Sequence, residues 1–168
     1  MKKTNHLKLL LLLPVILIMV LIFIFSSENS EDSSKTSGVI TDFIISIINK
    51  DYDNMEENEK LEYRDKVSFV IRKLAHFSIF ASLSFFMLLA LINLMPSYSY
   101  LRLSLMSFSI SSLYAMSDEI HQLFSSGRAC EIRDLLIDMT GVVFGILVLL
   151  LIISIINSIK KKRNKKEV

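Results

Sequence analysis

The apolar residues of this 168-residue chain are gathered into long blocks rather than dispersed at helix or strand period, and blocks of that length have few possible fates. Leu9 to Phe25 is broken only by Pro14, and Leu135 to Ile159 by little more than Asp138, Thr140, Gly141 and Gly145. A helix needs roughly 20 such residues to cross the hydrocarbon of a bilayer. Two further apolar segments lie between them: Leu74 to Met95, and the shorter, serine-rich Leu101 to Ser117. Backbone groups in lipid must bond within their own segment, and the alternation of a membrane barrel is absent. The expectation is an all-α, polytopic membrane protein with four transmembrane helices.

Charge orients those spans. Lys2, Lys3 and Lys8 precede the first, Arg102 follows the second, and Lys160, Lys161, Lys162, Arg163, Lys165 and Lys166 follow the fourth. Lysine and arginine beside spans favour the cytoplasm, so both termini are expected there and the partner of the chain is first of all the lipid bilayer. The link between spans one and two is rich in aspartate and glutamate and reads as external. The start resembles a secretory signal, but Phe-Ile-Phe-Ser-Ser offers no small-x-small cleavage site, so the run reads as a retained span. The basic tail is explained by topology and by attraction to anionic lipid, which makes nucleic-acid binding a poor reading. A single cysteine, Cys130, excludes an intramolecular disulfide and a cysteine metal cage; no cofactor is expected.

Four regions follow: residues 1–25, the cytoplasmic N-terminus and first span; 26–68, an external acidic loop; 69–159, a three-helix region; and 160–168, the basic cytoplasmic tail. Within the loop, Ser26 to Ser37 looks like a hydrated linker. Val39, Ile40, Phe43, Ile44, Ile47 and Ile48 then recur at helical spacing, which predicts a short helix lying in the interface or packed on the bundle mouth. Asn54 with Glu57 three residues on predicts a helix start, supported by the pairs Glu56/Lys60 and Glu62/Lys66. Nothing interrupts that helix before Pro96, so it runs from the external surface into the membrane. The short link after Pro96 makes spans two and three antiparallel neighbours.

With this topology drawn, the unusual polar residues fall at one depth, the outer ends of spans two, three and four. Ionisable side chains at such depths are costly and face the bundle interior, a cavity or one another. Lys73, His76, Phe80 and Ser84 share one stripe of span two; Ser111, Tyr114, Asp118, His121 and Gln122 share one of span three; Asp134, Asp138, Gly141 and Gly145 share one of span four. The two glycines form a GxxxG face that suits close helix packing, within the bundle or against a second copy in a homo-oligomer.

The string Arg72-Lys73-Leu-Ala-His76-Phe77, then Tyr114-Ala-x-x-Asp118-Glu119-x-His121-Gln122-x-Phe124, then Arg128 and Asp134-x-x-x-Asp138-x-x-Gly141-x-x-x-Gly145, resembles the VanZ-like family over roughly residues 69 to 150. The resemblance implies a small bacterial membrane protein linked to resistance to glycopeptide antibiotics, chiefly teicoplanin. It implies no reaction.

Three readings of the polar layer stand side by side. It can be an ion-pair and hydrogen-bond network that only fixes helix packing, with Asp134 and Asp138 answered by Lys73, Arg72 or Arg128. It can be a pocket for an anionic or lipid-linked cell-wall precursor, with Arg72, Lys73, Arg128 and Arg133 supplying charge and His76, Tyr114, Asp118, Glu119, His121, Gln122, Asp134 and Asp138 lining it. Or it can be catalytic, with Asp118, Glu119 or Asp138 orienting His76 or His121 as a general base. Asp-Glu-x-His puts only one histidine on its helix, unlike the His-Glu-x-x-His of metalloproteases, and no metal is expected. No serine or cysteine has an evident base beside it in the sequence.

Overall fold

A computed structural model describes residues 8–27, 30–124 and 132–164, with side chains in the second helix described from residue 37. The described residues form five α-helices and no strand: α1 (Leu12–Ser27), α2 (Ser30–Ile48), α3 (Glu57–Leu94), α4 (Tyr100–Gln122) and α5 (Ile132–Asn164). A single 3-10 turn, Tyr52–Asn54, joins α2 to α3. The all-α expectation holds. Two helices, α3 and α5, are long and apolar enough to cross a membrane. Helix α1 is apolar up to its closing Ser26 and Ser27 but only 16 residues long, and α4 has 23 residues but is diluted by serine and by its polar end.

The packing is apolar outside and polar within. Leu13, Ile16, Leu17, Val20, Leu147, Leu151 and Ile155 lie exposed on α1 and α5, while Asp118, Glu119, Asp138, Ser84, Ser107 and Ser111 are buried. A water-soluble protein rarely exposes so much contiguous apolar surface, and lipid favours this inversion. The core itself joins Val15 and Ile22 of α1, Phe80, Leu83, Leu88 and Ala90 of α3, Leu103 and Ala115 of α4, and Val142, Ile146 and Leu149 of α5.

At 1.5 Å per residue, the 38 residues of α3 extend roughly 57 Å, close to twice a bilayer's hydrocarbon thickness. The helix therefore continues beyond any membrane span at its N-terminal end, as its acidic sequence predicts. Its start differs from expectation. Asn54 ends the 3-10 turn and Glu56 is the N-cap in extended conformation, without a side-chain capping bond. Because Glu56 lies outside the helix, Lys60 turns to Glu57 at 3.1 Å, whereas Glu62 and Lys66 pair as predicted at 2.6 Å. The other end follows the sequence closely: α3 stops at Leu94, two residues before Pro96. Ser99 then caps α4 by accepting from the Arg102 backbone N–H at 3.4 Å.

Helix α2 corrects one expectation. Residues 30–37 are helical rather than a linker. The apolar stripe of Val39, Ile40, Phe43, Ile47 and Ile48 is exposed, and α2 packs on α3 through Ser37, Thr41 and Ile45, spaced i, i+4, i+8. Ser37 meets Ser68 at 3.4 Å. Arg64 grips Asp42 with both Nε and a terminal nitrogen, at 2.8 and 3.1 Å, which holds its guanidinium pKa above the ordinary value. Small and polar groups let the helices approach on this side, and the bulky apolar residues are left facing outward.

Gly141 and Gly145 set the closest approach in the bundle. A Cβ at Gly141 would overlap the Phe77 carbonyl oxygen, and one at Gly145 would overlap the Ala81 carbonyl oxygen and stand 2.8 Å from its carbon. The glycine face thus packs on α3 of the same chain, one of the two arrangements the sequence allowed. Just below, Ser107 of α4 donates to the Ser84 carbonyl at 3.0 Å, and Ser84 of α3 donates to the Val142 carbonyl of α5 at 2.8 Å. Ser84, on the predicted inner stripe of α3, and Ser107 of α4 therefore tie three helices together.

Candidate functional site

The sequence-predicted polar residues meet at one end of the bundle, in two groups. The first joins α3 to α5. Lys73 Nζ is ion-paired with Asp134 and also lies 4.9 Å from the centre of the Phe69 ring. One turn deeper, His76 Nδ1 stands 3.6 Å from Asp138 Oδ1, an ion-pair distance longer than an ordinary hydrogen bond. The two pairs stack because Lys73 and His76 are three apart on α3 while Asp134 and Asp138 are four apart on α5, which places each set on one face. Asp138 has no exposed surface, and among the described residues neither of its oxygens has a hydrogen bond. His76 remains partly open. A buried carboxyl group behind a partly exposed imidazole can orient the ring.

The second group joins α4 to α1, a helix that sequence reasoning left out of the site. Tyr114 donates its hydroxyl to the Met19 carbonyl at 2.7 Å. Gln122 donates from Nε2 to Asp118 at 3.0 Å and to Ser26 Oγ at 3.4 Å. His121 Nε2 lies 3.0 Å from Ser27 Oγ, and its ring stacks on Phe23 with centroids 4.6 Å apart and planes inclined by 23°. Asp118, Glu119 and Gln122 are 4%, 2% and 5% exposed, so three polar groups within about one turn of α4 are buried. Asp118, of the second group, and Asp134, of the first, both lie within electrostatic reach of Asp138.

Not every expected residue joins. Arg72 is half-buried and has no ion-pair or hydrogen-bond partner among the described residues, and Arg133 is exposed. Arg128 and Cys130 lie outside the described residues. Among the described residues no cluster of three histidine, cysteine, aspartate or glutamate side chains could hold a metal ion. Ser26, Ser27, Phe23 and the Met19 carbonyl were missed. Their signal was present in outline: Ser26 and Ser27 directly follow the first apolar run, at the depth the topology gives to His121 and Gln122.

The VanZ/LLP1 family model matches residues 11–154. The chain belongs to the VanZ/LLP1 family. The matched segment is wider than the motif-bearing region and takes in α1, in keeping with the contacts that α1 makes to Tyr114, His121 and Gln122. Neither the curated proteins nor the solved structures contain a match to this VanZ/LLP1 chain.

Proposed function

We propose that this VanZ/LLP1 protein is a bacterial cytoplasmic-membrane protein of four spans, α1, α3, α4 and α5, with both termini in the cytoplasm, and that it contributes to resistance to teicoplanin-type glycopeptides. It does so by binding or altering a cell-envelope component, a lipid-linked cell-wall precursor or an anionic lipid, at the outer membrane face. One observation supports this above all. The cost of placing Lys73, His76, Asp118, Glu119, His121, Asp134 and Asp138 at one depth exceeds what helix packing needs, since Ser84 and Ser107 already link α3, α4 and α5. Orientation rests on the lysine cluster that ends α5 and on the acidic sequence of α2 and the first turns of α3. A second reading draws on the closed Lys73–Asp134 pair: a polar layer that serves assembly alone.

The test compares teicoplanin susceptibility of cells with and without the gene, together with their muropeptide and lipid profiles. Raised resistance on expression supports the proposal. Unchanged susceptibility at good membrane abundance removes the antibiotic role.

A further inference from the structure

The contact between Ser27 and His121 has no role in holding the bundle that its neighbours do not already fill. Gln122 to Ser26 from buried positions and Tyr114 to Met19 from a partly buried one dock α4 on α1, whereas Ser27 is exposed and His121 partly so. The two residues are 94 apart in sequence and come from different helices, yet Oγ and Nε2 are 3.0 Å apart. That is the distance at which an imidazole takes the proton of an attacking hydroxyl.

The local chemistry defines what the pair can do. Ser27 also donates to the Phe23 carbonyl at 2.7 Å. Its single proton therefore has two acceptors. When it points to Phe23, the His121 Nε2–H donates to Oγ; when it points to Nε2, the hydroxyl is bonded to a base and its lone pairs are free. Stacking of His121 on Phe23 restrains the ring; passing from the first state to the second takes rotation of the hydroxyl together with loss of the Nε2 proton, the neutral ring then carrying its hydrogen on Nδ1. Around the pair the surface is apolar and exposed: Phe23 and Ile24 lie one turn before Ser27, and Leu123 and Phe124 follow His121.

We infer that Ser27 and His121 form a nucleophile–base site for the carboxylic ester of a membrane lipid, entered sideways from the leaflet with the acyl chain against Phe23, Ile24, Leu123 and Phe124. The inference rests on the membrane reading above and gives its site a reaction. Ser27 Oγ bonds to the ester carbonyl carbon while its proton passes to His121 Nε2. The carbon–alkoxy bond then breaks, and the alcohol leaves with that proton. Water, deprotonated by His121, releases the acyl group as the free acid and returns Ser27 to its starting state. The sum is ester plus water to alcohol plus acid.

The experiment treats membranes bearing the full chain with a long-chain alkyl fluorophosphonate and locates the adduct by peptide mass spectrometry. The expected result is an adduct on Ser27, absent in Ser27→Ala and slowed roughly 100-fold or more in His121→Gln, which keeps a hydrogen-bonding side chain but no base. Wild-type chain present at normal abundance with Ser27 unlabelled, beside a known membrane serine hydrolase that labels in the same sample, overturns the inference. So does equal labelling of the wild type and a His121→Gln chain of equal abundance. If that variant fails to accumulate, wild-type labelling decides on its own. Failure here remains distinct from failure of the functional proposal: Ser27→Ala cells that keep full teicoplanin resistance, while Asp138→Asn cells lose it, remove the nucleophile and leave the binding site standing.

Discussion

Gly145→Ala is the smallest change that should disturb the bundle measurably. The added methyl would overlap the Ala81 carbonyl oxygen, and at 2.8 Å from the carbonyl carbon it sits well inside the 3.5–4.0 Å of an unstrained carbon contact. The obstruction is helix backbone, which cannot swing aside, so α5 must move from α3 by the order of 1 Å. That movement also stretches the 2.8 Å bond from Ser84 to the Val142 carbonyl. Overpacking of this kind costs roughly 1–3 kcal/mol. For a chain of this length the loss corresponds to a fall in melting temperature of about 2–12 °C. Gly38→Ala is the matched control. Its methyl would meet the Arg64 guanidinium at 3.1 Å, the far end of a flexible side chain, and should be tolerated. Thermal unfolding of the purified chain in detergent, read by loss of the monodisperse peak, separates the two. If Gly145→Ala melts with the wild type, the close approach of α5 to α3 is wrong.

Other consequences are equally direct. Tyr114→Phe removes the hydroxyl that reaches Met19 and should loosen α1 from α4 by roughly 0.6–2 kcal/mol, seen as weaker disulfide cross-linking between cysteines placed on those helices. Reversing charge singly, in Lys73→Asp or Asp134→Lys, should lower membrane abundance, and combining the two should restore it; no recovery in the double variant argues against their pairing. For topology, a cysteine in place of Asp53, in the exposed turn before α3, should react with an impermeant maleimide on intact cells, and reaction only after permeabilisation would invert the orientation.

What the sequence made legible, and what it did not, divides along physical lines. The stop of α3 before Pro96, the inner stripes of α3, α4 and α5, and the meeting of Lys73 and His76 with Asp134 and Asp138 all follow from helix period and steric rules within single segments. The stripe of α2 predicts a helix with an apolar face but not its contact with α3. Periodicity identifies an apolar face without saying which face packs, and here Ser37, Thr41 and Ile45 fit α3 more closely than the bulky residues could. The Glu56/Lys60 pair failed because helix boundaries shift by a residue or two, enough to leave Glu56 outside. The place of α1 in the site was hidden because Ser26, Ser27 and a backbone carbonyl carry no motif; only tertiary contact with α4 gives them meaning.

The central claim is that the polar layer acts and does not merely hold the helices together. The measurement that addresses it most directly is teicoplanin resistance in cells carrying Asp138→Asn or His76→Ala, with membrane abundance and melting temperature determined in parallel. Asp138→Asn keeps the shape of a fully buried side chain while removing the acid that faces His76, so the account predicts near-normal abundance with resistance lost. Resistance that persists in both variants at normal abundance, or that falls only in step with abundance, would contradict it.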